Sequence, residues 1–378
     1  MDTIGGLTGV RACAGEQALE VSGKGSEVFA AAARRLRRVV PYDAAAWIGT
    51  DPATVLPASP MRVENIGQEH CETYWQREYG AHDVLTFRDV ARSAAAVATL
   101  RQATVGNLGR SVRFREFMRP LGYVDNLRAA FRIGAGVWGV VDLFRAADRP
   151  PFDERDLGHV AALGPEIALS LAGLAVAGRQ EGGVSGASDA PGTALFDAGD
   201  RVIFADAQAE HWFAELGGSP WLPLTVSLRT GAVASVVARA RAVAAERESG
   251  PAVIRVRGGS GRWVSIHASV LQDGRGQAGP VSVVFEPATA TQIVPIIVEA
   301  YALTQREREV TECVARGHTT AEIATRLRLS SHTVRDHLKA IFAKVDVSSR
   351  GELVARLFGE HASPLLHAPG ADIGHVDV

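Results

Sequence analysis

Hydrophobic periodicity changes character several times along the chain. From about Ser26 to Val39, Val28, Phe29, Ala32 and Leu36 recur at helical spacing. Arg34, Arg35, Arg37 and Arg38 lie largely off that face, and Pro41 stops the helix. Ala44 to Gly49 reads as a strand, Asp51-Pro52 as a turn, and a second strand falls within 55–66. Residues 68–79 and Leu108 to Arg119 read as helices, the latter closed by Pro120. Two apolar runs, Asn126 to Ile133 and Trp138 to Phe144, flank Gly134-Ala-Gly136, which predicts a hairpin. A long helix over about 154–177 follows, apolar at Leu157, Val160, Leu163, Ile167 and Leu171.

Glu181 to Gly192 is rich in Gly, Ser and Ala without periodicity and reads as a linker. Strands are predicted at 193–197 and 202–204, around Ala198-Gly199-Asp200, then helices at 207–216 and about 230–248. Three more strands follow at 252–257, 262–271 and 280–286. Ile293 to Ala302 is an apolar connector whose side chains should pack on the domains at either end.

The most ordered pattern lies at the C-terminal end. Three Ser/Thr-x-x-Glu capping boxes start helices: Thr304 with Glu307, Thr319 with Glu322, and Ser349 with Glu352. Gly317 ends the first of them. Helices are predicted at about 305–316, 320–328, 331–345 and 350–358. Leu329-Ser330 alone joins the second to the third, a helix-turn-helix spacing. On the third helix Val334, Leu338, Ile341, Phe342 and Val345 form one stripe. Ser331, Arg335, Asp336, Lys339 and Ala343 form another, small and polar enough to enter a groove. Only three lysines occur in the chain, Lys24, Lys339 and Lys344, and two belong to this helix. Spacing alone leaves a structural bundle with a solvated charged face as an equal alternative.

Net charge is −2 for 378 residues, so any nucleic-acid footprint must be local. Residues 304–358 hold ten basic residues against seven acidic, a small excess that favours dimeric binding. Cys13, Cys71 and Cys313 are isolated, without disulfide or metal-ligand spacing, which fits a reducing cytosol. No leader pattern and no apolar run of 18 residues is present, so a cytoplasmic protein without a membrane anchor is expected. His70-Cys71-Glu72 points its side chains apart on a helix and makes no nucleophile pair. His332 and His337 are five apart, the wrong spacing for a helical metal site. Neither a phosphate-binding loop nor a phosphoacceptor cluster is found, so no catalytic residues, metal or cofactor are expected.

The C-terminal stretch resembles the DNA-binding domain of LuxR/NarL-type transcription regulators. The resemblance rests on Leu303-Thr304, Arg306-Glu307, Gly317, Glu322-Ile323-Ala324, Leu327, Ser330 and Thr333-Val334-Arg335. It continues through His337-Leu338, Ile341, Lys344, Ser349-Arg350 and Glu352-Leu353, about a seventh of the chain. It implies double-stranded DNA as partner, with helix 331–345 in the major groove. Thr319, Thr320, Ser331, Thr333, Arg335, Asp336, His337, Lys339 and Lys344 are the expected DNA-binding residues. The last helix resembles the family's dimerisation helix, through Leu353, Val354 and Leu357, so a homodimer is expected.

The first region resembles a GAF domain, chiefly at Trp138 to Arg145 followed by Pro151-Phe152-Asp153. The second resembles a PAS domain at Leu195 to Val202 leading into Ala205 to Phe213, with Asp206 where an Asn is usual. The fold class expected is therefore α+β and multidomain, with GAF-like and PAS-like sensory domains before an all-α four-helix reader. The bounds are 1–25 tail, 26–178 GAF-like, 179–192 linker, 193–288 PAS-like, 289–303 linker, 304–360 reader and 361–378 tail. Trp47, Tyr74, Trp75, Tyr79 and Trp138 are candidates to line a pocket for a small-molecule effector, or are plain core. The chain so read is a one-component DNA-binding regulator. The alternative is a sensory scaffold controlled by a protein partner.

Overall fold

The computed structural model describes residues 18–20, 24–67, 70, 73–74, 77–78, 83–176, 190–221 and 231–359. The expected tail at 361–378, most of the linker 179–192 and residues 1–17 lie outside these. Residues 18–20 and 24–25 of the expected N-terminal tail belong to regular elements instead. Strand β1 (Ala18–Glu20) pairs antiparallel with β3 (Pro57–Glu64), and helix α1 starts at Lys24 and ends at Arg37.

Strand β2 (Ala44–Thr50) is buried along its whole length, because both faces of its sheet are covered. The other strands of that sheet are β4 (Val97–Thr99), β5 (Tyr123–Ile133) and β6 (Gly136–Ala146), and α2 (Phe87–Arg92) and α3 (Leu100–Ala103) flank β4. Strand order is β1-β3-β2-β6-β5-β4, antiparallel in every pair. Alternation sorts the side chains. Trp47, Leu127, Phe131 and Leu143 meet α1 and α4 (Glu154–Val176), while Ala46, Ile48, Val140 and Phe144 meet the segment that carries Tyr74, Phe87 and Phe117. Helix α4 is long and apolar enough to cross a membrane by composition, but it packs on this sheet as a core helix.

Two differences from the sequence reading have local causes. The single helix expected at 108–119 breaks into a 3-10 turn (Leu108–Arg110), a π turn (Phe114–Met118) and a second 3-10 turn (Arg119–Leu121). Asp83 accepts from Ser111 Oγ at 2.8 Å and from Arg113 N at 3.0 Å, which ties the segment inward where a regular helix would continue. The missed helices α2 and α3 each start on a capping box, Thr86 with Asp89 and Thr99 with Gln102, signals that the sequence does contain.

A buried ion network holds that segment to the sheet. Asp142 Oδ2 accepts from Arg113 Nη1 at 2.9 Å, Arg128 Nη2 at 2.8 Å and the Tyr74 hydroxyl at 3.1 Å, and its Oδ1 accepts from Asn126. Arg128 reaches Glu78 at 2.6 Å and stacks on the Phe87 ring. Burial would raise the Asp142 carboxyl, but the two guanidiniums outweigh it and hold the group below the usual carboxylate range.

The second sheet has the order β8-β7-β11-β10-β9. Its strands are β7 (Gly192–Phe196), β8 (Val202–Ala205), β9 (Ala252–Arg257), β10 (Trp263–Gln272) and β11 (Ala278–Pro287). Helices α5 (Ala207–Glu215) and α6 (Gly231–Ala244) cover one face, packing Trp212, Phe213, Val233 and Val236 on Ile254, Val264 and Phe285. The turn after β2 joins the two sheets. Asp51 accepts from Arg255 N and Nε at 2.8 Å each and from Nη2 at 2.9 Å, and Leu56 and Ala58 enter the second core.

The apolar connector is helix α7 (Ala290–Ala300). It packs on the C-terminal bundle through Ile293 and Ile297, as expected, but through Ile296 and Ala300 it joins the first core and not the core of the second sheet that precedes it. The bundle comprises α8 (Gln305–Ala315), α9 (Thr320–Leu327), α10 (Ser331–Val345) and α11 (Arg350–Val354), which runs on as a π turn, Ala355–Gly359.

Two outcomes are expected from these contacts. Asp142→Ala leaves Arg113 and Arg128 buried without their shared carboxylate, and should cost roughly 3–5 kcal/mol in urea unfolding. Acid should weaken the C-terminal bundle through its caps. The Glu307 carboxyl, raised by burial but lowered further by Lys344 and the Thr304 N–H, sits below its ordinary range. The backbone N–H of Thr319 lowers Glu322, and that of Ser348 lowers Glu352. Depressed carboxylates stabilise the fold above their unfolded pKa. That contribution should disappear as pH falls below about 4, seen as lost amide protection in α8 to α11 after correction for intrinsic exchange.

Candidate nucleic-acid interface

Each helix of the bundle begins on a side chain that satisfies its orphan N–H groups. Thr304 and Thr319 form complete capping boxes, and Ser330 and Ser349 accept from the N–H of Thr333 and Glu352. Gly317 takes φ +81°, and Arg328 takes φ +54°, between α9 and α10. The left-handed residue at 328 reverses the chain in two residues, so α10 crosses α9 at once. Val310, Val314, Ile323, Val334, Leu338, Ile341 and Val345 then close the core.

That packing decides which side of α10 is left over. Ser331, His332, Arg335, Asp336, Lys339 and Ala343 are exposed, and Thr333 and His337 are half-buried. Arg335 Nε donates to Ser331 O at 3.1 Å, so the guanidinium lies back along its own helix. Asp336 pairs with His332 Nδ1 at 2.9 Å, one turn away. His332 is a member of this face that the groove stripe read from the sequence does not include; its i, i+4 spacing to Asp336 places it there. Exposed Arg326 and Arg328 at the end of α9 add positive charge beside it.

Three expected contact residues are committed elsewhere. Lys344 Nζ lies 2.6 Å from Glu307 Oε2, tying α10 to the start of α8, so its ammonium is a strut of the bundle. Thr320 Oγ1 accepts from Arg350 Nη2 at 2.9 Å, and Arg350 also donates to His318 O at 2.8 Å. The Thr319 hydroxyl serves its own capping box.

Leu353, Val354 and Leu357 are the residues expected at a dimer contact. Leu353 and Leu357 are fully buried in the bundle core that also holds Ile293 and Ile297 of α7, and Val354 is half-buried.

The aromatic candidates among the described residues do not converge. Trp47 and Trp138 belong to the core under α1 and α4, whereas Tyr74 lies across the sheet and donates to Asp142. Trp75 and Tyr79 lie outside the described residues.

Comparison with known proteins agrees with this geometry. Residues 301–357 match the family model described as bacterial regulatory proteins, luxR family. The transcriptional regulatory protein DesR of Bacillus subtilis is 47% identical over 58 residues, which are 15% of this chain and 29% of DesR. The spore germination protein GerE of the same organism is 44% identical over 55 residues, 15% of this chain and 74% of GerE. A solved VqmA–ligand–DNA complex of Vibrio cholerae is 16% identical, covering 48% of this chain and 89% of that one. Its TM-score is 0.25, too low to relate the two folds. DesR thus shares under a third of its length with this chain, and DesR and the monoamine regulon regulator of Klebsiella aerogenes are described as transcriptional regulators. With the helix-turn-helix geometry in place and GerE matched over most of its length, this chain belongs to the luxR family of bacterial regulatory proteins.

Proposed function

We propose that the chain is a one-component transcription regulator that binds double-stranded DNA sequence-specifically through the outer face of α10. The observation that carries this reading is the capped, short-turned α9–α10 pair, whose packing leaves Ser331, Arg335, Asp336 and Lys339 facing outward together. A face of small, polar and cationic side chains on a helix of this length suits the major groove. Arg335 and Lys339 meet phosphate or guanine edges, Ser331, Thr333 and His337 flank them, and the N-terminus of α9 holds phosphate. Residues 26–178 act as a GAF-like and 193–288 as a PAS-like sensory domain, joined through 289–303 to a reader at 304–360. Two copies act together, since the basic excess of one reader is small.

A second reading concerns the input. The described aromatic candidates, Trp47 and Trp138 against Tyr74, fall on opposite faces of the first sheet, and the Tyr74 side is filled by the Asp142 ion network. Both observations favour control by a protein partner over control by a small molecule in that sheet.

Binding-site selection on the full chain, from random duplexes at one fixed salt concentration, tests the reading. Wild type should recover a two-half-site sequence whose affinity falls steeply as salt rises. Arg335→Ala should weaken the best site by about 1–3 kcal/mol and relax preference at one position. Lys344→Gln should lower thermal stability and leave the selected sequence unchanged, because its ammonium holds Glu307. Asp336→Ala should also relax preference at one position; uniformly tighter binding to every sequence would mean that Asp336 only repels phosphate.

A further inference from the structure

The outer face of α10 carries an ion pair that the bundle does not need. His332 Nδ1 lies 2.9 Å from Asp336 Oδ2, one turn along the same helix, with 81% of the His332 side chain and 65% of the Asp336 side chain exposed. A pair so exposed adds little to stability. It also stands apart from the core, which Val334, Leu338, Ile341 and Val345 close from the other stripe of the helix. What the pair fixes is the chemistry of the outward side. A carboxylate only accepts, so Nδ1 carries the shared proton, and Nε2, across the ring, is the atom left to meet a ligand.

Protonation decides what Nε2 can read. In the neutral ring it is an acceptor; in the imidazolium it is a donor. Asp336, the only acidic residue of α10, is the anion beside it. The cations around the pair are Arg335 and Lys339 on α10 and the exposed Arg326 and Arg328 at the end of α9. Arg335 turns back to Ser331 O at 3.1 Å, and Arg306 of α8 is spent on Glu309 at 2.7 Å and Leu327 O at 2.6 Å. Phosphates of a bound duplex would tip this balance toward the imidazolium. Residue 332 is the second of α10, and the first residues of a helix in the major groove are those that reach base edges.

We infer that His332 is a specificity-determining residue that engages DNA as the imidazolium. Nδ1–H holds the Asp336 carboxylate, and Nε2–H donates to N7 or O6 of a guanine, whose own groove edge presents acceptors and no donor. Proton and operator binding are therefore linked. Each reader takes up a proton on binding, and affinity falls as pH rises through the range in which imidazole titrates. This rests on the reading that the outer face of α10 enters the major groove, and it names a base and a protonation state for that contact.

The test uses the full chain, with duplexes selected from a random pool by wild type at about pH 6 as the probe. Fluorescence anisotropy at one salt concentration should show affinity roughly tenfold higher at about pH 6 than at about pH 8 for each reader engaged. His332→Gln stays polar but cannot take up the proton, so it should flatten that dependence and relax the preference for guanine at one position. Asp336→Asn removes the anion that the imidazolium holds and should flatten the dependence in part. His318 and His337 are common to wild type and His332→Gln, so the difference between those two chains reports His332 alone. Both substituted side chains are exposed, and the variants should fold as wild type does. A flat wild-type profile, or a wild-type slope retained in His332→Gln, overturns the proposal. A dependence equally steep on unrelated duplexes also overturns it, because the imidazolium then meets phosphate and reads no base. Those outcomes leave the DNA reading standing. A chain that selects no sequence at any pH removes the DNA reading, and this proposal with it.

Discussion

Helix α7 must bury both of its sides, and the arrangement of the other elements follows from that. Its sequence, Ala-Thr-Gln-Ile-Val-Pro-Ile-Ile-Val-Glu-Ala, is apolar nearly all round, so no single partner surface can satisfy it. One side closes the first core through Ile296 and Ala300, and the other closes the bundle core through Ile293 and Ile297. A connector with one apolar side would leave the C-terminal bundle free to tumble. This one makes the bundle an extension of the first core, with Trp263 of the second sheet packed against both.

Within the bundle, specificity of shape comes from termini more than from helix interiors. The four helices are short, and helices of this length are marginal unless their ends are satisfied. Capping side chains, the left-handed turns at Gly317, Arg328 and Asp346, and struts such as Lys344 to Glu307 supply that satisfaction. The consequence is electrostatic as well as structural. Basic residues drawn into struts and clamps, Lys344 and Arg350 among them, are withdrawn from the outer face. Arg335 and Lys339 remain there, with Arg326 and Arg328 beside them.

The two sheets use buried charge for a different purpose. Asp142 with Arg113 and Arg128 sits where an aliphatic cluster would be simpler, and Asp51 grips Arg255 across the junction of the sheets. Such pairs add little net stability over apolar packing, but they tolerate only one register. A slip of the 83–118 segment or of the second sheet would leave a charge buried and unpaired. That is a physical reason for both joins to be unique.

Local chemistry was legible without coordinates wherever it acts over three or four residues. The caps at Thr304, Thr319, Ser330 and Ser349, the turn at Gly317, the hairpin about Gly134-Ala-Gly136 and the outward stripe of α10 are all functions of spacing along the chain. The helices at 87–92 and 100–103 were equally legible from Thr86 with Asp89 and Thr99 with Gln102, and were overlooked. Tertiary structure alone decided what depends on contacts between residues far apart in the chain. It paired Lys344 with Glu307 and Arg350 with Thr320, and so took basic and hydroxyl groups off the candidate interface. It sent Trp47 and Tyr74 to opposite faces of one sheet, because strand parity assigns faces only once the partners are known. It also buried Leu353 and Leu357 in a core shared with Ile293 and Ile297, residues of a helix that ends more than fifty positions upstream. An apolar stripe states that something must cover it; which element does so is settled by packing in three dimensions.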